Sequence, residues 1–167
     1  QCVIEVEEQV TVFFFCLQSA DFRFVKIQSM NAVITGASRG IGKATADIFA
    51  VHGYNLFLTS KNEINLLDTI EDLQTRYPNI TVDGKAADAG DKSSAHLFGE
   101  WVLNNASSID VLVNNVGTYV PGNVTDEPEG ALEQMLHVNL FSAYHTTRAL
   151  VNRMKAQESG HIFTICS

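Results

Sequence analysis

From Met30 onward, short apolar runs alternate with longer segments of helical periodicity, and this alternation constrains the fold more than any other property of the chain. Parallel strands need crossover connections, and helices on those crossovers cover the faces of the sheet they create. The runs predict strands at 31–35, 55–59, 80–86, 110–114 and 161–166. Helices are expected at 40–52, 62–76, 91–106 and 131–157, with a short extra turn at 126–130. In the first helix Ile41, Ala44, Ile48 and Val51 share one stripe, read as the core-facing one, and Gly53 is the expected C-terminal cap. In the second, Ile64, Leu67, Ile70, Leu73 and Tyr77 form the equivalent stripe before Pro78 stops the helix.

The first strand and first helix are joined by Thr35-Gly36-Ala37-Ser38-Arg39-Gly40-Ile41-Gly42. Glycines at such a junction let backbone rather than side chain approach a ligand. A helix N-terminus adds unpaired N–H groups and the positive end of its dipole, so the expected ligand is a pyrophosphate. A phosphate-cradling P-loop is excluded, because Ala37 stands where its first Gly belongs and Ala44 follows Gly42-Lys43 in place of Ser or Thr. The common dinucleotide spacing G-x-G-x-x-G fails as well, since the glycines fall as G-x-x-x-G-x-G.

That arrangement resembles the T-G-x-x-x-G-x-G signature of the short-chain dehydrogenase/reductase family. Asn114-Asn115-Val116-Gly117 is similar to the family's N-N-A-G motif, with Val116 in place of Ala, and Val138-Asn139-Leu140 resembles the segment that carries its active-site Asn. Gly160 to Ser167 resembles the strand that delivers its catalytic Ser. The resemblance spans residues 31 to 167 but only the amino-terminal portion of a family member. The expected fold is an α/β Rossmann-type doubly wound parallel sheet of order 3-2-1-4-5, truncated after the fifth strand, with a ligand crevice at the carboxyl ends of the strands.

The resemblance implies that Gly36, Ser38, Arg39, Gly40, Ile41 and Gly42 line a nicotinamide cofactor, and that Asn115, Val116 and Gly117 do so after the fourth strand. The second strand ends at Ser60 and Lys61, where dinucleotide binders read the adenosine ribose. An acid there would accept from the 2′-OH and repel a 2′-phosphate. Ser60 in its place, with Lys61 and Arg39 as cations, points to NADP(H) over NAD(H). Lys61 has a second reading, as a solvated charge at a helix entrance. Asp88 matches the family acid that contacts the adenine amino group, and reads equally as a turn or helix cap. The resemblance assigns catalysis to Ser167, which would polarise a substrate carbonyl, and to Asn139, which would help hold a water in a proton relay. Asn139 otherwise reads as a residue exposed between helix turns.

The family's proton donor, a Tyr four residues before a Lys, has no counterpart in these residues. Tyr144 with Arg148 is the nearest spacing, and it falls within a helix upstream of Ser167. The expectation is an NADPH-dependent reductase of a small carbonyl compound, such as a 3-oxoacyl thioester, with this chain inactive alone. The alternative is a nonenzymatic nucleotide-binding or interaction module. A nucleotide-sugar epimerase would want a G-x-x-G-x-x-G loop, which is not here.

The 167 residues, 46% hydrophobic and 18% charged, suit one soluble domain over 30–167. Residues 1–29 read as an extension, acidic at Glu5, Glu7 and Glu8 and then apolar from Val10 to Leu17, a run too short to span a bilayer. Met30 is the expected natural start. The net charge of -8 argues against nucleic acid as a partner. Cys2, Cys16 and Cys166 suggest neither a metal site nor a disulfide framework, which fits the cytoplasm. His137 and His145 read as ordinary helix residues. Family members commonly associate through the long helix containing Asn139, so the resemblance implies a homo-oligomer.

Overall fold

A computed structural model describes residues 30–123 and 125–165. Its elements are β1 (Asn31–Thr35), α1 (Gly40–Val51), β2 (Asn55–Thr59), α2 (Glu63–Arg76), β3 (Val82–Gly84), α3 (Lys92–Asn105) and β4 (Val111–Asn114). They continue with α4 (Ala131–Leu136), a π-helical turn (His137–Phe141), α5 (Ser142–Ala156) and β5 (His161–Thr164). The strands form one parallel sheet in the order β3-β2-β1-β4-β5. This is the Rossmann-like topology expected from the alternation, and it brings Thr35, Thr59 and Asn114 to the same end of the sheet.

Successive strand residues face opposite sides, which divides the core in two. Ala32, Ile34, Leu56, Leu58, Val111 and Val113 pack with Ala46 and Ala50 of α1 and Leu66, Ile70 and Leu73 of α2. Val33, Phe57 and Leu112 pack on the other side with Phe98 and Val102 of α3 and Leu150 and Met154 of α5. The strand ends away from the glycine loop are fastened by polar groups. The buried Asn31 donates from Nδ2 to the Ser108 carbonyl (3.0 Å) and Oγ (2.9 Å), and accepts from Asn55 Nδ2 at 3.0 Å. Its backbone N–H donates to Asp110 Oδ2 at 2.7 Å.

The helix faces correct the sequence reading. The buried side of α1 is Gly42, Ala46 and Ala50, whereas Ile41, Ala44, Ile48 and Val51 lie on the solvent side, with Ile48 61% exposed. The small residues let α1 lie close on the sheet, a requirement of volume that apolar periodicity does not register. In α2, Ile70 and Leu73 are buried as expected, but Leu66 and Thr69 complete that face, and Ile64 and Leu67 point to solvent. Thr69 is tolerated inside because its hydroxyl donates to the Asn65 carbonyl at 2.9 Å. Gly53 ends α1 at positive φ, and α2 stops just before Pro78, as the sequence predicts. The helix expected over 131–157 is interrupted by the π-helical turn, which divides it into α4 and α5. The third strand is shorter than expected, and 126–130 forms hydrogen-bonded turns, as expected.

Candidate functional site

The carboxyl ends of β1, β2 and β4 meet around the glycine loop. Gly36 adopts φ +65, a left-handed conformation that L side chains rarely take. Gly42, in the first turn of α1, has no room for a side chain, since an added Cβ would lie 2.2 Å from the Gly36 carbonyl oxygen. The loop therefore folds tightly over the start of α1. No acidic side chain occupies that first turn, so the positive end of the helix is unopposed there.

Residues at the end of β4 fasten this loop from the side. Asn115 Nδ2 donates to the carbonyls of Thr35 (3.1 Å) and Gly36 (3.2 Å). Thr35 Oγ1 accepts from the backbone N–H of Asn115 at 3.0 Å and of Val116 at 3.3 Å. Asn115 thus positions the loop through its amide, and Thr35 is a contributor that the motif reading missed. Val116 packs beside Gly36, so the Val-for-Ala difference is absorbed in local packing.

Farther along, an open cleft of about 400 Å³ is lined by Ser38, Arg39, Ser60, Lys61, Asn62 and Asn65. The Ser38 and Ser60 hydroxyls are hydrogen-bonded at 2.8 Å. Asn62 caps α2 by accepting from the Asn65 N–H at 2.9 Å. Asn62 and Asn65 are cleft residues that the sequence reading did not single out, although an Asn before an amphipathic helix is a recognisable cap signal. Arg39 is exposed and has no ion-pair partner among the described residues. Lys61 does have one, with its Nζ 2.7 Å from Asp88 Oδ2. The hydrogen bond to Asp88, and then its charge, raise the Lys61 pKa above the ordinary 10.5. In turn, the Lys61 hydrogen bond is the main cause holding the Asp88 carboxyl below its ordinary 3.8. Asp88 also accepts from the Gly90 N–H at 3.1 Å, which is the turn contact that one of its two sequence readings expects.

Asn139 sits in the π-helical turn, where its side chain grips the segment after β4. Its Oδ1 accepts from the Thr118 N–H at 2.7 Å, and its Nδ2 donates to the Thr118 carbonyl at 2.9 Å. A side chain at Gly117 would come into ordinary contact with Asn139 Oδ1. Nearby Asn114 donates to Thr147 Oγ1 at 3.0 Å, while its buried Oδ1 has no partner among the described residues. Ser167 and Cys166 lie outside the described residues, as do residues 1–29. Tyr144 and Arg148 form a hydrogen-bonded pair at 2.9 Å on the exposed side of α5. His137 and His145 make ring contacts with Phe141, and no cluster of His, Cys, Asp or Glu able to hold a metal occurs among the described residues. Among the described residues no helix is long and apolar enough to cross a membrane.

Comparison with known proteins adds a second line of observation. A model of the short chain dehydrogenase family matches residues 30–167. An uncharacterized oxidoreductase of Bacillus subtilis is 34% identical over 143 residues, which cover 86% of this chain and 53% of that protein. An alcohol dehydrogenase from the archaeon Thermococcus sibiricus, complexed with 5-hydroxy-NADP, superposes with a TM-score of 0.75 at 30% identity over 78% of this chain and 55% of that one. A short chain dehydrogenase/reductase from Burkholderia phymatum in complex with NAD gives a TM-score of 0.74 at 26% identity over 81% of this chain and 48% of its own. The chain spans about half the length of the relatives it matches.

Proposed function

The chain belongs to the short chain dehydrogenase family, a family of oxidoreductases, and on that premise we propose that residues 30–167 form the cofactor-holding part of an NADP(H)-dependent reductase of small carbonyl compounds. The observation that carries this reading is the cleft at Ser38 and Ser60, where Arg39 and Lys61 gather and a hydroxyl, not a carboxylate, stands at position 60. Three features fit the chain to a dinucleotide: Gly42 leaves the backbone bare, α1 has no acid in its first turn, and Asn115 holds the loop against β4.

In this reading Gly36, Ser38, Gly40, Ile41 and Gly42 hold the pyrophosphate side. Arg39, Ser60 and Lys61 take the 2′-phosphate, Asp88 faces the adenine, and Asn115, Val116 and Gly117 form the wall at the end of β4. When bound, the cofactor supplies a hydride to the substrate carbon. Ser167 donates a hydrogen bond to the substrate oxygen as negative charge develops on it. Asn139 holds the Thr118 backbone in place and, by the family resemblance, keeps a water in a proton relay. A small carbonyl or alcohol substrate, a homo-oligomeric whole protein and a cytoplasmic setting belong to the same proposal, with no nucleic-acid or membrane partner.

Titration with NADPH and NADH, followed by nicotinamide fluorescence, tests the reading. NADPH is expected to bind about tenfold more tightly, the worth of one charge-assisted contact. Equal affinities sink the preference, and no binding of either sinks the site. A second reading of these 167 residues taken by themselves is a nucleotide-binding module without turnover. Oxidation of NADPH by these residues in the presence of ketones and aldehydes would exclude the module.

A further inference from the structure

We infer that Asp88 competes with the ligand's phosphate for Lys61, so that this carboxylate limits the affinity of the cleft for a 2′-phosphorylated ribose. The inference rests on the cofactor reading above and adds a determinant that acts from outside the cleft. Lys61 lines the cleft, whereas Asp88 is not among its lining residues and reaches the ammonium from the connection between β3 and α3.

The two partners differ in freedom. Asp88 is anchored at three points: its Oδ1 accepts from the Gly90 N–H at 3.1 Å, its own N–H donates to Ser94 Oγ at 2.9 Å, and its carbonyl accepts from the Asp91 N–H at 3.0 Å. Lys61 carries its charge on a flexible stem, and its side chain is 81% exposed. A phosphate in the cleft therefore meets one unopposed cation, Arg39, and one already engaged. If Lys61 turns to the phosphate, the contact with Asp88 is lost. If it stays, its charge is largely neutralised by a carboxylate that also repels the phosphate. Either way Asp88 subtracts from affinity for the phosphorylated ligand and leaves an unphosphorylated ribose almost unaffected. The size is bounded by the modest strength of exposed ion pairs, which corresponds to about a two- to fivefold change in affinity.

Calorimetric titration of the 167-residue chain with adenosine 2′,5′-bisphosphate and adenosine 5′-monophosphate tests this, using Asp88→Asn, Lys61→Ala and the double variant. Asn keeps an acceptor for the Gly90 N–H, so the turn is retained. Because both nucleotides carry the adenine that Asp88 faces, the readout is their affinity ratio: Asp88→Asn is expected to raise the bisphosphate-to-monophosphate ratio about two- to fivefold, and to give no such gain when Lys61 is already Ala. A gain that persists without Lys61 is a general charge effect and overturns the inference. An unchanged or lower ratio in Asp88→Asn overturns it too, because Asp88 would then not be opposing the 2′-phosphate. If neither nucleotide binds any variant, the cofactor reading falls and this inference with it.

Discussion

The Ser60 hydroxyl lies 2.8 Å from that of Ser38, at the end of β2 where a ribose edge would rest. A carboxylate at this position would stand among Arg39, Lys61 and any phosphate they hold, repelling the phosphate while accepting from an unmodified 2′-OH. Ser60→Asp is therefore expected to weaken NADPH binding about tenfold and to leave NADH binding equal or tighter, in fluorescence titrations of both cofactors. Unchanged NADPH affinity would mean that the 2′-phosphate lies elsewhere. Ser60 and the glycine loop could be found from sequence because each requirement rests on a single residue type at a local spacing. The partner of Lys61 could not, since Asp88 reaches it only through the pairing of β2 with β3. The grip of Asn139 on Thr118 was hidden for the same reason: it joins two segments far apart in sequence, across a π-helical turn that no periodicity announces.

Helix α1 illustrates why element order was readable and element orientation was not. Strand and helix lengths follow from apolar runs and breakers, but the buried face depends on how near the helix axis lies to the sheet, which small residues decide. Ile48→Ser, on the solvent side, is expected to change unfolding free energy by less than about 0.5 kcal/mol in urea titrations. Ala50→Leu, on the buried side, should cost about 1–3 kcal/mol through overpacking. The reverse order would restore the stripe first read from the sequence. Between α1 and α2, Arg76 bridges Asp72 and Asp47, and Lys43 pairs with Asp72 at 3.1 Å. Hydrogen bonds from Arg76 and then Lys43 hold the Asp72 carboxyl below its ordinary 3.8. A carboxyl depressed on folding stabilises above its unfolded value, and that stability is lost as pH falls through the folded one. Asp72→Asn should thus lower Tm slightly at neutral pH, and the difference from the parent should close as pH drops below 3.8. A gap that persists in acid would assign the effect to packing instead.

Across the whole sheet, burial is uneven in a way that bears on how the molecule behaves in solution. β1 and β4 sit between both helical layers and are buried throughout, whereas all four residues of β5 are exposed. The β5 edge carries Ile162 and Phe163 in a row parallel to β4, with Ile165 just beyond. Leu140, Phe141 and Tyr144 add exposed apolar surface on the π-helical turn and α5. An exposed strand edge with apolar side chains is a template for association, and a charge on such an edge is the usual protection against it. Phe163→Lys should therefore raise the concentration at which the 167-residue chain self-associates, as followed by light scattering. Its urea midpoint should move little, because the side chain is half exposed and leaves no cavity. NADPH binding should change little, since Phe163 is paired with Val113, short of the β4 end where Asn115 to Gly117 lie, and β1 and β4 lie between it and the cleft at the end of β2. If the variant associates as readily as the parent while remaining folded, the adhesive surface is the α5 side, and a Leu140→Lys substitution should show the effect in its place.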